Sequence, residues 1–108
     1  MKQPQFNRRL TLEAPGRASD GAGGFTETWA QLGVIWGEVL PRGAGREVEA
    51  SELKLKITVR AAPQGAPSRP TAAMRFRDGE RIYRIEAVTE ADAEGRFLVC
   101  FVKEEVGA

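Results

Sequence analysis

The chain has 108 residues, 42% hydrophobic and 29% charged, the proportions of one globular domain rather than of a fibrous or disordered chain. A net charge of +1 supplies no global field for nucleic acid or a membrane surface, so any electrostatic role rests on local placement. There is no histidine and a single cysteine, which removes the commonest general base, the commonest zinc ligand and any intramolecular disulfide.

In chain order, residues 1–7 are polar, include Pro4, and read as an extended, mobile arm with none of the apolar character of a secretory leader. No run approaches membrane-spanning length. Arg8 to Glu13 alternates, with Leu10 and Leu12 inward, and predicts a first strand. Ala14 to Gly24 holds Pro15, four glycines and Asp20, the composition of a loop. Phe25, Glu27 and Trp29 then alternate with Thr26 and Thr28, as in a half-buried core strand entered through the turn at Gly23-Gly24. Gly33 marks a bulge. Beyond it Val34 and Trp36 point one way while Ile35 and Val39 point the other. Such a segment is covered on both sides, by its own core and by another copy or partner, although a closed core accounts for Trp29 and Trp36 equally well.

Arg42 to Glu52 begins as a flexible glycine loop and ends in a short helical turn. From Leu53, Leu55, Ile57 and Val59 alternate with Lys54, Lys56, Thr58 and Arg60, a half-buried strand with a basic outer face. That face is either a solvated edge guard or a set of non-specific phosphate contacts, extended by Arg75 and Arg77 on a neighbouring strand. No aromatic residues interleave with these bases, which argues against a stacking platform for single strands. Ala61 to Ala73, built of alanine and proline with no large apolar side chain, is expected to be extended and mobile. Met74–Arg77 and Arg81–Val88 flank Asp78-Gly79 and predict a hairpin, with a three-residue turn, Gly79 left-handed and Met74 opposite Ile82. Thr89 to Gly95 is a second, acidic turn. Phe97 to Val102 is a last strand holding Cys100 as a small buried hydrophobe, and residues 103–108 are expected to fray.

These elements predict a single domain over 1–108. It is all-β, a small barrel or sandwich of about six antiparallel strands with two long loops and at most one helical turn. Trp29, Trp36, Ile57, Val59, Tyr83 and Ile85 are assigned to its core. Catalytic constellations are missing: there is no CxxC, and Gly43-Ala44-Gly45 precedes no Lys-Ser/Thr pair. The acidic pairs Glu47/Glu49 and Asp92/Glu94 read as solvated loop charges. The chain reads as a non-enzyme without a cofactor.

The order and spacing of several short marks resemble the phage head–tail joining family, the head-completion or stopper proteins of long-tailed phages and related phage-like particles. These marks are Arg9-Leu10-Thr11-Leu12, Gly23-Gly24 with Trp29, Val34-Ile35-Trp36-Gly37-Glu38-Val39 with Pro41, and Gly45-Arg46-Glu47 before Ala50. Ile57-Thr58-Val59-Arg60 follows, then Gly79 with Ile82-Tyr83-Arg84-Ile85 and Val88. The chain departs from the pattern at Ala61-Ala62, where the family usually has an aromatic. The resemblance implies a homo-oligomeric ring of β-barrels below the portal and its adaptor and above the tail, in a virion assembled in the bacterial cytoplasm. Such a ring continues the channel for packaged double-stranded DNA, with no membrane partner. It also implies a channel or gating loop, by position Arg42, Gly43, Gly45, Arg46, Glu47 and Glu49. The loop bearing Pro63, Pro67, Arg69 and Pro70 would contact a neighbouring ring. Lys54, Lys56 and Arg60 would face DNA phosphate or a charged partner. Two other readings stand beside this one: a nucleic-acid-binding barrel of the OB or SH3-like kind using those three bases, and a tail-terminator ring protein.

Overall fold

The structure, a computed structural model, describes residues 3–42 and 52–105. Six antiparallel strands are present: β1 (Arg8–Ser19), β2 (Phe25–Pro41), β3 (Glu52–Arg60), β4 (Arg75–Asp78), β5 (Arg81–Glu90) and β6 (Phe97–Glu105). They close into one barrel in the order β1-β2-β3-β6-β5-β4, with no helix among the described residues. The period-two alternation turns one side of every strand inward. Leu10, Leu12, Ile57, Val59, Phe76, Tyr83, Leu98, Cys100 and Val102 are fully buried there, and Ile85 nearly so. Gly37 also faces in. A Cβ at that position would lie 3.1 Å from Ile57 Cγ2 and the Thr58 carbonyl oxygen, so the barrel closes against a bare backbone there.

The barrel uses only part of its two longest strands. β1 pairs with β4 over Thr11–Glu13 alone, and β2 with β3 over Gly37–Pro41 alone. Beyond these contacts Ala14–Ser19 pairs only with Phe25–Ala30, and the two project as a two-stranded ribbon. The ribbon leaves the barrel at a bulge. The register slips between Leu12 and Glu13, opposite Gly33 and Gln31, and Gly33 takes φ 153°, a conformation that side chains rarely adopt. At the tip, the Asp20 carboxylate accepts hydrogen bonds from the backbone N–H groups of Ala22 (2.8 Å) and Gly24 (3.0 Å), which hold its pKa below the ordinary aspartate value.

Three expectations are corrected here. Residues 14–19 form strand rather than loop. The Asp20 N–H bond to the Gly24 carbonyl (3.2 Å) turns even-numbered residues toward β2, so the Pro15 nitrogen faces outward and no ladder bond is lost. Phe25 to Trp29 does not line the core: Phe25 is 63% exposed and Trp29 half-buried, because alternation fixes which faces a strand has but not what covers them. Trp36, also assigned to the core, is 52% exposed on the outer wall.

The connections are tighter than composition suggests. The turn after β4 is the two residues Gly79-Glu80, with Asp78 opposite Arg81 and Phe76 opposite Tyr83, in place of the three-residue turn. Gly79 is left-handed as expected (φ 63°), and at the first central position it fits a type II′ hairpin. The Ala61–Ala73 loop is not extended. It folds through successive turns (Ala66 N–H to Pro63 O, Arg69 N–H to Ala66 O), the Arg69 guanidinium donates to the Ala62 carbonyl at 2.8 Å, and Pro70 is fully buried. Prolines with preset backbone angles order at little entropic cost, so even this composition packs. Strand β6 continues through Lys103–Glu105 instead of fraying, because Glu104 is buried and ion-paired.

Candidate assembly surface

Among the described residues, the exposed large hydrophobic side chains all lie on β2. Ile35 and Val39 turn inward against the core cluster, while Val34 (46% exposed), Trp36 (52%) and Leu40 (41%) stand outward on alternate positions. The register places Thr11 and Arg9 of β1 beside Val34 and Trp36, and Lys56 of β3 beside Leu40. Glu38, between Trp36 and Leu40, accepts a hydrogen bond from the Gln5 N–H at 3.0 Å, so the N-terminal arm crosses the wall there. The arm is docked rather than loose. Phe6 packs on Phe97 (centroids 5.7 Å apart), and the Arg60 guanidinium lies 4.9 Å over the Phe6 ring.

The basic residues of β3 lie on its outer face, as the alternation predicts: Lys54 and Arg60 are exposed and Lys56 half-buried, with Arg60 also engaged with Phe6. Arg75 and Arg77 do not extend this face, because β4 lies between β1 and β5, across the barrel from β3. Both arginines bond Glu13, at 2.6 and 3.3 Å, and the Arg75 guanidinium lies 3.9 Å from the centroid of the Trp29 ring. This buried group, unforeseen from sequence, ties the ribbon's root to the barrel. The sequence hint was an acid ending the apolar alternation of β1 and two arginines of one parity on a short strand.

Of the candidate channel residues, Gly43, Gly45, Arg46, Glu47 and Glu49 lie outside the described residues, as does most of the expected helical turn. Arg42 is described, and it is clamped. Its guanidinium donates to the Leu55 and Val102 carbonyl oxygens (3.3 and 2.6 Å) and to Glu86 (2.9 Å). Arg42, with Lys103, holds the Glu86 carboxyl below the ordinary glutamate range. In the partner loop, Pro63 and Pro67 are exposed, but Arg69 is half-buried and Pro70 fully so. Ile57, Val59, Tyr83 and Ile85 sit in the core.

A second polar group caps the barrel end remote from the ribbon. Arg8 donates to Asp78 (2.6 Å) and to the Tyr83 hydroxyl (3.2 Å), and Arg81 grips Glu104 through two bonds of 2.6 and 2.9 Å. These partners raise the pKa of both guanidinium groups, Asp78 for Arg8 and Glu104 for Arg81, while burial raises that of the Tyr83 phenol. Burial pushes the Cys100 thiol up to about 12, the opposite of a nucleophile's tuning. Among the described residues no cluster of His, Cys, Asp and Glu is arranged to hold a metal ion.

A closed barrel with a filled core, an apolar outer strip and ion pairs that tie its strands and ribbon together has the features of a small structural domain. Residues 1–105 match the phage head completion protein family, and the chain belongs to it: a family of structural, non-enzymatic proteins. A chain of the virion of a native gene transfer agent particle is 46% identical, with 98% of this chain and 100% of that chain covered and a TM-score of 0.80. Protein SF1141 from Shigella flexneri 2a, a solution structure, shares the fold at 19% identity, with 96% of each chain covered and a TM-score of 0.68. Comparison with curated protein sequences gives no match.

Proposed function

We propose that the protein is the ring-forming connector subunit at the head–tail junction of a phage-like particle. It joins the portal and adaptor on one side to the tail on the other, around packaged double-stranded DNA. The observation that carries this reading is the outward strip Val34, Trp36 and Leu40 on a barrel whose interior is already filled. A monomer gains nothing from exposing a tryptophan and two aliphatic side chains on one strand, whereas a subunit packed beside others buries them. The full-length likeness to a virion chain supports the same reading. The topology also separates two ends. The ribbon, the Ala61–Ala73 loop and the turn before Phe97 are at one; the Gly79-Glu80 turn and the Arg8–Asp78 and Arg81–Glu104 pairs are at the other. Two distinct ends suit a component that meets different rings above and below. Lys54 and Lys56 border the strip and would meet phosphate or acidic side chains without reading sequence.

The test is to build particles whose only copy of this protein carries Val34→Asp and Trp36→Asp, with folding checked by circular dichroism. DNA-filled heads lacking joined tails are expected. Normally tailed particles would overturn the proposal, as would salt-sensitive DNA binding by the free protomer at micromolar concentration, the mark of the nucleic-acid-binding alternative.

A further inference from the structure

The ribbon has two open edges, and they are unlike. On β1 the groups that point away from β2 belong to Pro15, Arg17 and Ser19; on β2 they belong to Phe25, Glu27, Trp29 and Gln31. Among the described residues nothing pairs with either edge. From Phe25 to Gln31 the β2 edge carries no proline and no lysine, two of the usual guards against strand addition, and its one charged side chain is Glu27. An isolated two-stranded hairpin is marginal in water, and this one has most of its side chains exposed. The charges are also unfinished. Glu27 lies opposite Arg17 in the register, yet Arg17 stacks on Phe25 (4.6 Å), and Glu27 makes no ion pair or side-chain hydrogen bond among the described residues.

We infer that the ribbon is an inter-subunit element, in which the β2 edge of one copy pairs antiparallel with the β1 edge of the next copy. The inference rests on the ring reading above and names the contact that makes the ring. Repeating the intramolecular register across the contact sets Arg17 of one copy beside Glu27 of the other, Ser19 beside Phe25, and Pro15 beside Trp29. Each Glu27 then lies between two arginines. The missing Pro15 N–H costs a single ladder bond, and the Pro15 carbonyl still accepts from the Trp29 N–H. The occupant is a second copy rather than another protein because the two edges complete one another. They are of similar length, opposite in charge at the matched position, and antiparallel in any head-to-tail repeat. Joining unlike edges is a heterologous contact, the kind a ring requires and one that closes when the rotation per copy divides a full turn, whereas pairing β2 with β2 gives only a twofold dimer. Pairing β1 with β1 about Arg17 sets like charges together. Along β2 the open edge is followed, beyond the Gly33 bulge, by the exposed Val34 and Trp36.

Two variants that each add one exposed cysteine test this, Arg17→Cys and Glu27→Cys, with Cys100 left in place because it is buried. They are assembled separately and as an equal mixture, then oxidised with diamide. Each chain holds one exposed thiol, so no link can form within a ribbon. Strands about 4.8 Å apart put the matched pair within disulfide reach, while like residues of successive copies fall about 10 Å apart and out of reach. The expected result in the mixture is a covalent dimer joining position 17 of one chain to position 27 of the other. It forms at up to about a quarter of interfaces for random assembly, and not at all in either protein alone. A second mixture, Ser19→Cys with Phe25→Cys, repeats the test at the ribbon tip should the first pair fold poorly. Native mass spectrometry of the wild-type protein reports ring formation separately. Rings without these links, or links within Glu27→Cys alone, overturn the ribbon contact and leave the ring reading standing. Absence of rings and of links overturns both.

Discussion

Replacing Glu13 by alanine probes how the ribbon is fastened to the barrel. Glu13 is the last β1 residue paired with β4 and sits at the register slip, so its carboxylate is where the barrel wall becomes a free ribbon. The Glu13 and Arg75 side chains are 6% and 11% exposed and 2.6 Å apart. Without the carboxylate, Arg75 remains buried with the Trp29 ring as its remaining partner. A buried charge stripped of its counterion costs about 3–5 kcal/mol, and the Trp29 contact, present before and after the substitution, leaves Arg75 partly compensated and keeps the loss at the lower end. A net loss of about 3 kcal/mol corresponds to a fall in Tm of roughly 12–24 °C for a domain of this size. The assay is urea and thermal unfolding in a Trp36→Phe background, so that fluorescence reports Trp29 alone. Emission from Trp29 is expected to shift red even in the folded state as the ribbon loosens. Replacing both partners by apolar residues, Glu13→Leu with Arg75→Met, should recover most of the loss, since neither charge is then stranded. The reasoning fails if Glu13→Ala costs under about 1 kcal/mol, or if the Glu13→Ala and Arg75→Ala losses simply add in a double-mutant cycle.

Trp36→Ala should leave Tm nearly unchanged while weakening self-association. Half of a tryptophan's roughly 200 Å² at about 25 cal/mol/Å² is about 2.5 kcal/mol, or somewhat under 100-fold in Kd by sedimentation equilibrium, and unchanged association would remove the strip from the interface. Gly37→Ala should destabilise by about 1–3 kcal/mol in urea titration, because the new methyl meets the Thr58 carbonyl at 3.1 Å in a packed wall. Cys100 should resist a thiol reagent at pH 8 in the native state and react fully in denaturant. Its folded pKa is raised, so above pH 9 the unfolded thiol ionises while the folded one holds its proton until about pH 12, and stability should fall with pH across that window. A thiol that reacts rapidly in the native protein would contradict its burial.

The strand periods, the glycine bulge and the left-handed Gly79 were legible because each depends on neighbours within a few residues. Leu53 to Arg60 shows why. Its alternation is a local property, and it determines one inward and one outward face wherever the strand is placed. The same logic assigned Val34 and Trp36 to one face and Ile35 and Val39 to the other, as the barrel has them. What alternation does not carry is the identity of the cover. Trp29 and Trp36 look like core residues in the chain, yet one stacks on Arg75 and the other faces outward, because all six strands fill the interior without them, β2 through Ile35 and Val39. The pairings of Glu13 with Arg75 and of Arg81 with Glu104 join residues far apart in sequence, and only the strand order brings them together. By itself, then, the amino-acid sequence determined an all-β fold and the parity of its strands. The tertiary structure decided that β1 and β2 outrun the barrel as a ribbon, since strand length is limited by available partners and not by the residues of the strand alone.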